Sequence, residues 1–322
     1  MSIALPSGLP AADQLRNEGL PIGLPDGAAR RLRVALVNLM PDRPTTECQF
    51  ARLLAASRHP VELVLAVPDG VTGRDEAGRH LARFYRPWTA VEESGIDAVI
   101  VTGAPVERLD FAAVRFWPQL TRILDWTRGR AVPSYFVCWA AQAALWHAHR
   151  IAKRDLPEKA FGVFAQALRE PAPILGGIGP SLLTPVSRHT MTAAADLLGR
   201  GRLKVLADCG ETGLGLASDP SARAHYMLNH VEYDADTLAR EYARDRAAGR
   251  PVRQPRGYFP MDDPSATPVA FWRPQAVRLF RNWLDEVAAV RDAATYSGRA
   301  KKSCIERSMK ATSPGRRKDA AM

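Results

Sequence analysis

Four apolar stretches constrain the fold most. RVALVN (33–38), VELVLAV (61–67), DAVIVTG (97–103) and AVPSYFVC (131–138) are nearly continuous hydrophobic runs, without the alternation of a half-solvated strand. Such runs suit strands buried on both faces of a parallel sheet. Between them lie segments with apolar residues at helical spacing. These are TTECQFARLLAAS (45–57), with Phe50, Leu53 and Leu54, and WPQLTRILDWTRG (117–129), with Leu120, Ile123 and Leu124. The fourth run passes directly into the helical pattern WAAQAALWHAHR (139–150). Strands alternating with helices of these lengths predict a doubly wound parallel α/β sheet.

After Ile151 the pattern loosens. GVFAQAL (162–168), RLKVLAD (202–208), TGLGLAS (212–218) and AHYMLNH (224–230) read as shorter strands. DADTLAREYARDRAAG (234–249) reads as a charged amphipathic helix, and RPQAVRLFRNWLDEVAAVRDA (273–293) as a closing helix with Val277, Leu279, Phe280, Trp283 and Leu284 as its apolar face. The expected organisation is an irregular arm over 1–30, rich in Pro, Gly and Ala, one domain over 31–293, and a basic, disordered tail over 294–322.

The formal charge of +10 invites a nucleic-acid reading, but from Arg299 onward the chain carries eight Lys or Arg and two acidic residues. The basic excess therefore sits largely in the tail, and no nucleic-acid partner is expected. The apolar runs are too short to span a membrane, and the N-terminus lacks a basic start followed by an apolar block. The four cysteines, Cys48, Cys138, Cys209 and Cys304, are scattered without a CxxC pair. That spacing suits neither a zinc site nor a disulfide framework, so a reducing cytoplasm, no metal and no membrane partner are expected.

Cys138 is the most informative residue. It stands where a buried strand ends and a helix begins, and a sharp strand-to-helix turn there raises the side chain above the sheet edge, as in a nucleophile elbow. The helix N-terminus offers unpaired N–H groups and partial positive charge, which favour the reactive thiolate and can bind an oxyanion. The alternative is a buried packing cysteine, since free cysteines are commonly buried. A cysteine nucleophile needs a base. Of seven histidines, His230 ends the AHYMLN segment and is followed two residues later by Glu232, a spacing that lets a carboxylate orient an imidazole. A structural histidine is the alternative there too. His147 and His149, two apart on a helix, face different ways and form no metal pair. His59, His80 and His225 show no partner in the sequence.

A set of collinear blocks carries a family resemblance. They are VALVNLMPDRPTTECQFARLL (34–54), VTGAPVE (101–107), WPQL (117–120), FVCWAAQAAL (136–145), LPEKAFGVF (156–164), SRHT (187–190), HVEYDADTLAREYARD (230–245), YFPMDDPSATP (258–268) and NWL (282–284). In this order they are similar to the homoserine O-acyltransferases of the glutamine-amidotransferase-like type, the trans-succinylases and trans-acetylases of methionine synthesis. The resemblance runs from about residue 10 to about residue 290. It implies a flavodoxin-like, class I glutamine-amidotransferase-like fold, a cytoplasmic homodimer, no bound cofactor, and acyl-CoA as co-substrate.

Residue by residue, the resemblance makes Cys138 the acyl-thioester nucleophile, His230 the general base and Glu232 its partner. Lys159, Ser187 and Arg244 match substrate-binding positions, Arg244 gripping the amino-acid carboxylate as a guanidinium does, with two parallel hydrogen bonds. Without the family, all three read as surface residues. Arg43, in MPDRP, stands where the family usually has lysine and is carried over as substrate-binding. The backbone N–H of Trp139 is the oxyanion donor. Glu107 occupies the position that in this family tends to separate donors, glutamate going with acetyl-CoA and glycine with succinyl-CoA. A glutamate repels the free carboxylate of a succinyl group, so acetyl transfer is expected. The usual GHPEYD reads NHVEYD here, with Asn229 and Val231. The expected activity is ping-pong acyl transfer to L-homoserine, with L-serine as alternative acceptor and succinyl-CoA as alternative donor. A glutaminase is a further alternative, although such enzymes usually carry a GxCxG pattern at the nucleophile, and here the neighbours of Cys138 are Val137 and Trp139. A non-catalytic homologue is the last.

Overall fold

The computed structural model describes residues 3–24 and 31–311. In chain order the first part runs β1 (Ile3–Ala4), α1 (Pro10–Asn17), β2 (Ile22–Gly23), β3 (Leu32–Val37), α2 (Arg43–Ala55), β4 (Val61–Val67), α3 (Asp75–Phe84), β5 (Arg86–Pro87), α4 (Trp88–Val91), β6 (Ala98–Val101), α5 (Trp117–Gly129), β7 (Ser134–Val137) and α6 (Trp139–His149). The second part runs β8 (Arg154–Leu168), β9 (Ser181–Met191), β10 (Lys204–Cys209), β11 (Gly213–Asp219), β12 (Ala224–Met227), α7 (Thr237–Ala247) and α8 (Arg273–Ala311).

One mixed sheet joins them in the order β2-β1-β4-β3-β6-β7-β12-β11-β10-β8-β9, with β5 pairing β4. From β2 to β12 neighbouring strands are parallel. From β12 to β9 they are antiparallel. In β3, Leu32, Val34 and Leu36 face a core shared with Phe50, Leu54, Phe280 and Trp283. Ala35 and Val37 face a second core with Trp88, Leu120, Ile123 and Trp139. Helices α2 and α8 thus cover one face, and α4, α5 and α6 the other. That double burial is why the parallel strands read as unbroken apolar runs.

The expectation for residues 1–30 is corrected. A strand, a helix and a second strand form there, and Ile3, Leu5, Leu9 and Leu15 are fully buried. Pro10 sits in the first turn of α1, where its missing N–H costs nothing. Residues 25–30 lie outside the described residues. The boundary at 293 is corrected as well: α8 continues to Ala311, because GRAKKSCIERSMKA (298–311) holds no proline and many helix formers. The rest of the expected tail, 312–322, lies outside the described residues. Strand β9 was missed. Its burial alternates and it carries Pro185, tolerated because β9 ends the sheet. Among the described residues no helix is long and apolar enough to cross a membrane.

Candidate active site

Cys138 closes β7 and caps α6 with φ +50° and ψ −116°, the sharp turn expected of a nucleophile elbow. A non-glycine residue held there costs about 1–3 kcal/mol and needs surroundings that enforce it. Those surroundings are visible. The Cys138 N–H donates to Met227 O on β12 at 2.7 Å, and its carbonyl accepts the first helical bond, from Gln142 N at 3.2 Å. Gly103, after β6, makes room: a Cβ added to it would lie 3.2 Å from Cys138 Cβ and 3.8 Å from the sulfur. Trp139, the first residue of α6, is fully buried against Phe111 and Phe116, so its backbone stands at the helix N-terminus beside the cysteine.

His230 follows β12, the neighbour of β7, and so arrives beside Cys138 at the same sheet edge. Its Nδ1 lies 2.7 Å from Glu232 Oε1, and the ring interacts electrostatically with Cys138. Burial works against an imidazolium here. The electrostatic interactions with Cys138 and Glu232, and the hydrogen bond to Glu232, outweigh it and hold the His230 pKa well above its ordinary value. Tyr233 stacks on the imidazole, 4.2 Å between centroids and 13° between planes. Carboxylate pairing alone does not single out His230. His59, His80, His147, His149 and His225, read from sequence as partnerless or unremarkable, each lie within 4 Å of an Asp or Glu. What distinguishes it is its electrostatic interaction with Cys138. Cys48 is buried with its thiol pKa pushed up to about 11, chiefly by burial, which makes it inert packing.

Lys159, Ser187 and Arg244 come from three elements, and the first two meet at a residue the sequence reading missed. Lys159 lies at an irregularity in the β8–β9 register between Asp155 and Ala160, the kind of bulge that re-aims a side chain. Its ammonium is 3.3 Å from Glu241 Oε2 and 3.4 Å from Asp245 Oδ2, and 4.0 Å above the Phe161 ring. Ser187 Oγ donates to the same Glu241 oxygen, and Tyr233 OH donates to Oε1 at 3.2 Å. Glu241, on α7 one turn before Arg244, is thus the hub, and Tyr233 links it to His230. Arg244 is mostly exposed and bonds Asp245 at 2.9 Å. Glu241 carried a faint signal in its helical spacing to Arg244; Tyr233 and Gly103 carried none.

Glu107 lies on the loop after β6, and its Oε1 accepts the His189 N–H at 3.3 Å. Between this loop and the elbow stands Arg188, buried to 2% exposure and electrostatically coupled to Cys138 and Glu107. Arg188 donates to Leu228 O, Asn229 Oδ1, Thr212 O and Thr190 O. Asn229, which stands where the family pattern has glycine, also donates to Thr184 Oγ1 at 2.9 Å. This clamp holds the segment entering His230 without the proline usual after it. Arg43 is not brought to the Cys138–His230 pair by any contact. It begins α2, 5.8 Å over the Tyr85 ring, and its buried Nε has no hydrogen-bond partner among the described residues.

The chain is similar over most of its length to known proteins. The family model described as homoserine O-succinyltransferase matches residues 2–292. A homoserine O-acetyltransferase of Synechococcus is 44% identical over 291 residues, covering 88% of this chain and 97% of that protein. One from Hyphomonas neptunium is 41% identical, covering 89% and 95%. Among solved structures, a putative GMP synthase protein from Thermoplasma acidophilum aligns with TM-score 0.54 at 11% identity, covering 83% of this chain and 99% of that one. A glutamine amidotransferase from Methylobacillus flagellatus gives 0.53 at 11% identity, covering 80% and 95%. The two structures attest the fold; the family model and the two relatives show that this chain belongs to the homoserine O-succinyltransferase family, the glutamine-amidotransferase-like homoserine O-acyltransferases.

Proposed function

We propose that this chain transfers an acetyl group from acetyl-CoA to the hydroxyl of L-homoserine through a thioester on Cys138. The observation that carries the reading is the strained elbow at Cys138, with His230 at the same sheet edge and Glu232 on its Nδ1. In the first half-reaction His230 holds the proton of Cys138, and the sulfur attacks the acyl carbonyl. The oxyanion forms at the N-terminus of α6, where the Trp139 N–H is free of helical bonding. Coenzyme A leaves as thiolate and takes the proton from His230. Acylation removes the negative sulfur, and with it a main force raising the His230 pKa. The imidazole is then neutral and available as base. It takes the homoserine hydroxyl proton while the oxygen attacks the thioester, and the sulfur leaves.

The acceptor fits the cluster around Glu241. Its ammonium would pair with Glu241, and its carboxylate with Lys159 or Arg244, whose charges Asp245 and Glu241 hold in place. Glu107 favours acetyl over succinyl by meeting the succinyl carboxylate with like charge. Intact-protein mass spectrometry tests the scheme. Acetyl-CoA without acceptor should leave one acetyl group on Cys138, and homoserine should discharge it faster than serine. A folded protein acylated by neither acetyl-CoA nor succinyl-CoA would refute the scheme.

A further inference from the structure

We infer that the cleft between β8 and the loop of residues 250–256 docks the nucleotide end of the thioester donor, an adenosine bisphosphate unit, with Arg250, Arg253 and Arg256 as phosphate ligands. The inference rests on the acyl-CoA reading above. The cleft has a volume of about 960 Å³ and is lined by five Lys or Arg against three carboxylates. It borders the cluster around Glu241, since Lys159 and Asp245 line its wall, and His189, also in the wall, donates its backbone N–H to Glu107. A donor lying in it would keep its charged end at the surface and extend past the Glu241 cluster toward Cys138, which is buried.

The loop RPVRQPR (250–256) presents an arginine at every third residue, and its two prolines restrict the backbone between them. It is tied to β8. Val163 N donates to Arg256 O at 2.8 Å, and Arg256 N to Phe161 O at 3.0 Å. The approach is so close that a Cβ on Gly162 would lie 2.3 Å from Arg256 O, and Gly162 has φ +144°, so only glycine fits. The backbone is therefore held while the side chains stay wet. Arg250, Arg253 and Arg256 are 65%, 84% and 66% exposed, each on one carboxylate, Asp245, Glu158 and Glu211. The Arg253–Glu158 and Arg256–Glu211 pairs are exposed on both sides, contribute little and exchange easily, whereas Arg250 leans on the buried Asp245. A phosphate, with more charge and oxygens matched to the guanidinium fork, competes well for such arginines. Between them Phe161, Phe164 and Val252 give the cleft an apolar strip, suited to an uncharged linker or a base.

The direct test is a calorimetric titration with adenosine 3′,5′-bisphosphate, which needs no turnover. The wild-type chain should bind it saturably and more weakly as salt rises. The variant carrying Arg250→Gln, Arg253→Gln and Arg256→Gln should bind about tenfold more weakly, a loss of about 1.4 kcal/mol. In turnover, the ratio of KM for acetyl-CoA to KM for acetyl-pantetheine, which lacks the nucleotide, should rise about tenfold in that variant. No binding to wild type, equal binding to the variant, or an unchanged KM ratio would overturn the assignment. Failure of either thioester to acylate Cys138 would instead refute the proposed function, and the bisphosphate titration would still decide the groove.

Discussion

Replacing Arg188 with methionine should damage both stability and chemistry, by amounts the geometry allows to be worked out. Arg188 makes four hydrogen bonds from a nearly dry position: Nε to Thr190 O at 2.9 Å, Nη1 to Leu228 O at 3.3 Å and Asn229 Oδ1 at 2.5 Å, and Nη2 to Thr212 O at 2.5 Å. Burial pushes its pKa down to about 10, so it remains a cation near neutral pH. Methionine fills similar space but leaves the four oxygens without this donor, at about 1 kcal/mol each. Relief from burying a charge returns part of that, so the net loss should be about 2–3 kcal/mol. With an unfolding entropy of about 2.1 cal/mol/K per residue over roughly 300 residues, Tm should fall by about 3–5 °C. The chemical effect should be larger. Leu228 and Asn229 lead directly into His230, and a displacement near 1 Å can cost about a hundredfold in rate. A fixed positive charge facing the sulfur is lost as well. Rapid-quench measurement of Cys138 acylation, beside thermal melts, should show about a hundredfold slower step in a folded protein. Arg188→Lys, which keeps charge but not the fork, should fall between. A lowered Tm with a wild-type acylation rate would mean that Arg188 is only structural, and the positioning argument would be wrong.

In Cys138→Ala, His230 should titrate at lower pH than in wild type, because a principal charge raising its pKa is gone; NMR of the ring protons reads this, and an unchanged or higher value would contradict it. The sign for stability follows: a raised folded pKa adds stability that is full below about pH 6.5 and fades as pH climbs through the folded value. Gly103→Ala should slow acylation at least tenfold by pressing a methyl against Cys138 Cβ at 3.2 Å, with a small change in Tm; wild-type rates there would show that the elbow can yield. Glu107→Gly should raise kcat/KM for succinyl-CoA relative to acetyl-CoA about tenfold, a like-charge effect of about 1–2 kcal/mol; a constant ratio would remove Glu107 from donor selection.

The sequence by itself determined the features that depend on neighbours in the chain. Double burial marks a parallel strand by its composition alone, so β3, β4, β6 and β7 were legible within a few residues of their observed ends. The elbow was legible because strand, cysteine and helix are consecutive, and the His230–Glu232 pair because two residues separate them. Tertiary structure decided whatever depends on distant segments meeting. Lys159 and Ser187 come together only when β8 and β9 pair, and Glu241 becomes a hub only when α7 lies across them. Arg188 reads as one more surface arginine until β9, β11 and the β12–His230 turn enclose it, since a charge can be buried only where several chain segments supply its acceptors at once. The N-terminal arm was misread for the same reason. Its leucines are sparse and split by Gly and Pro, and only the exposed flank of β4 and the surface of α2 give them something to be buried against.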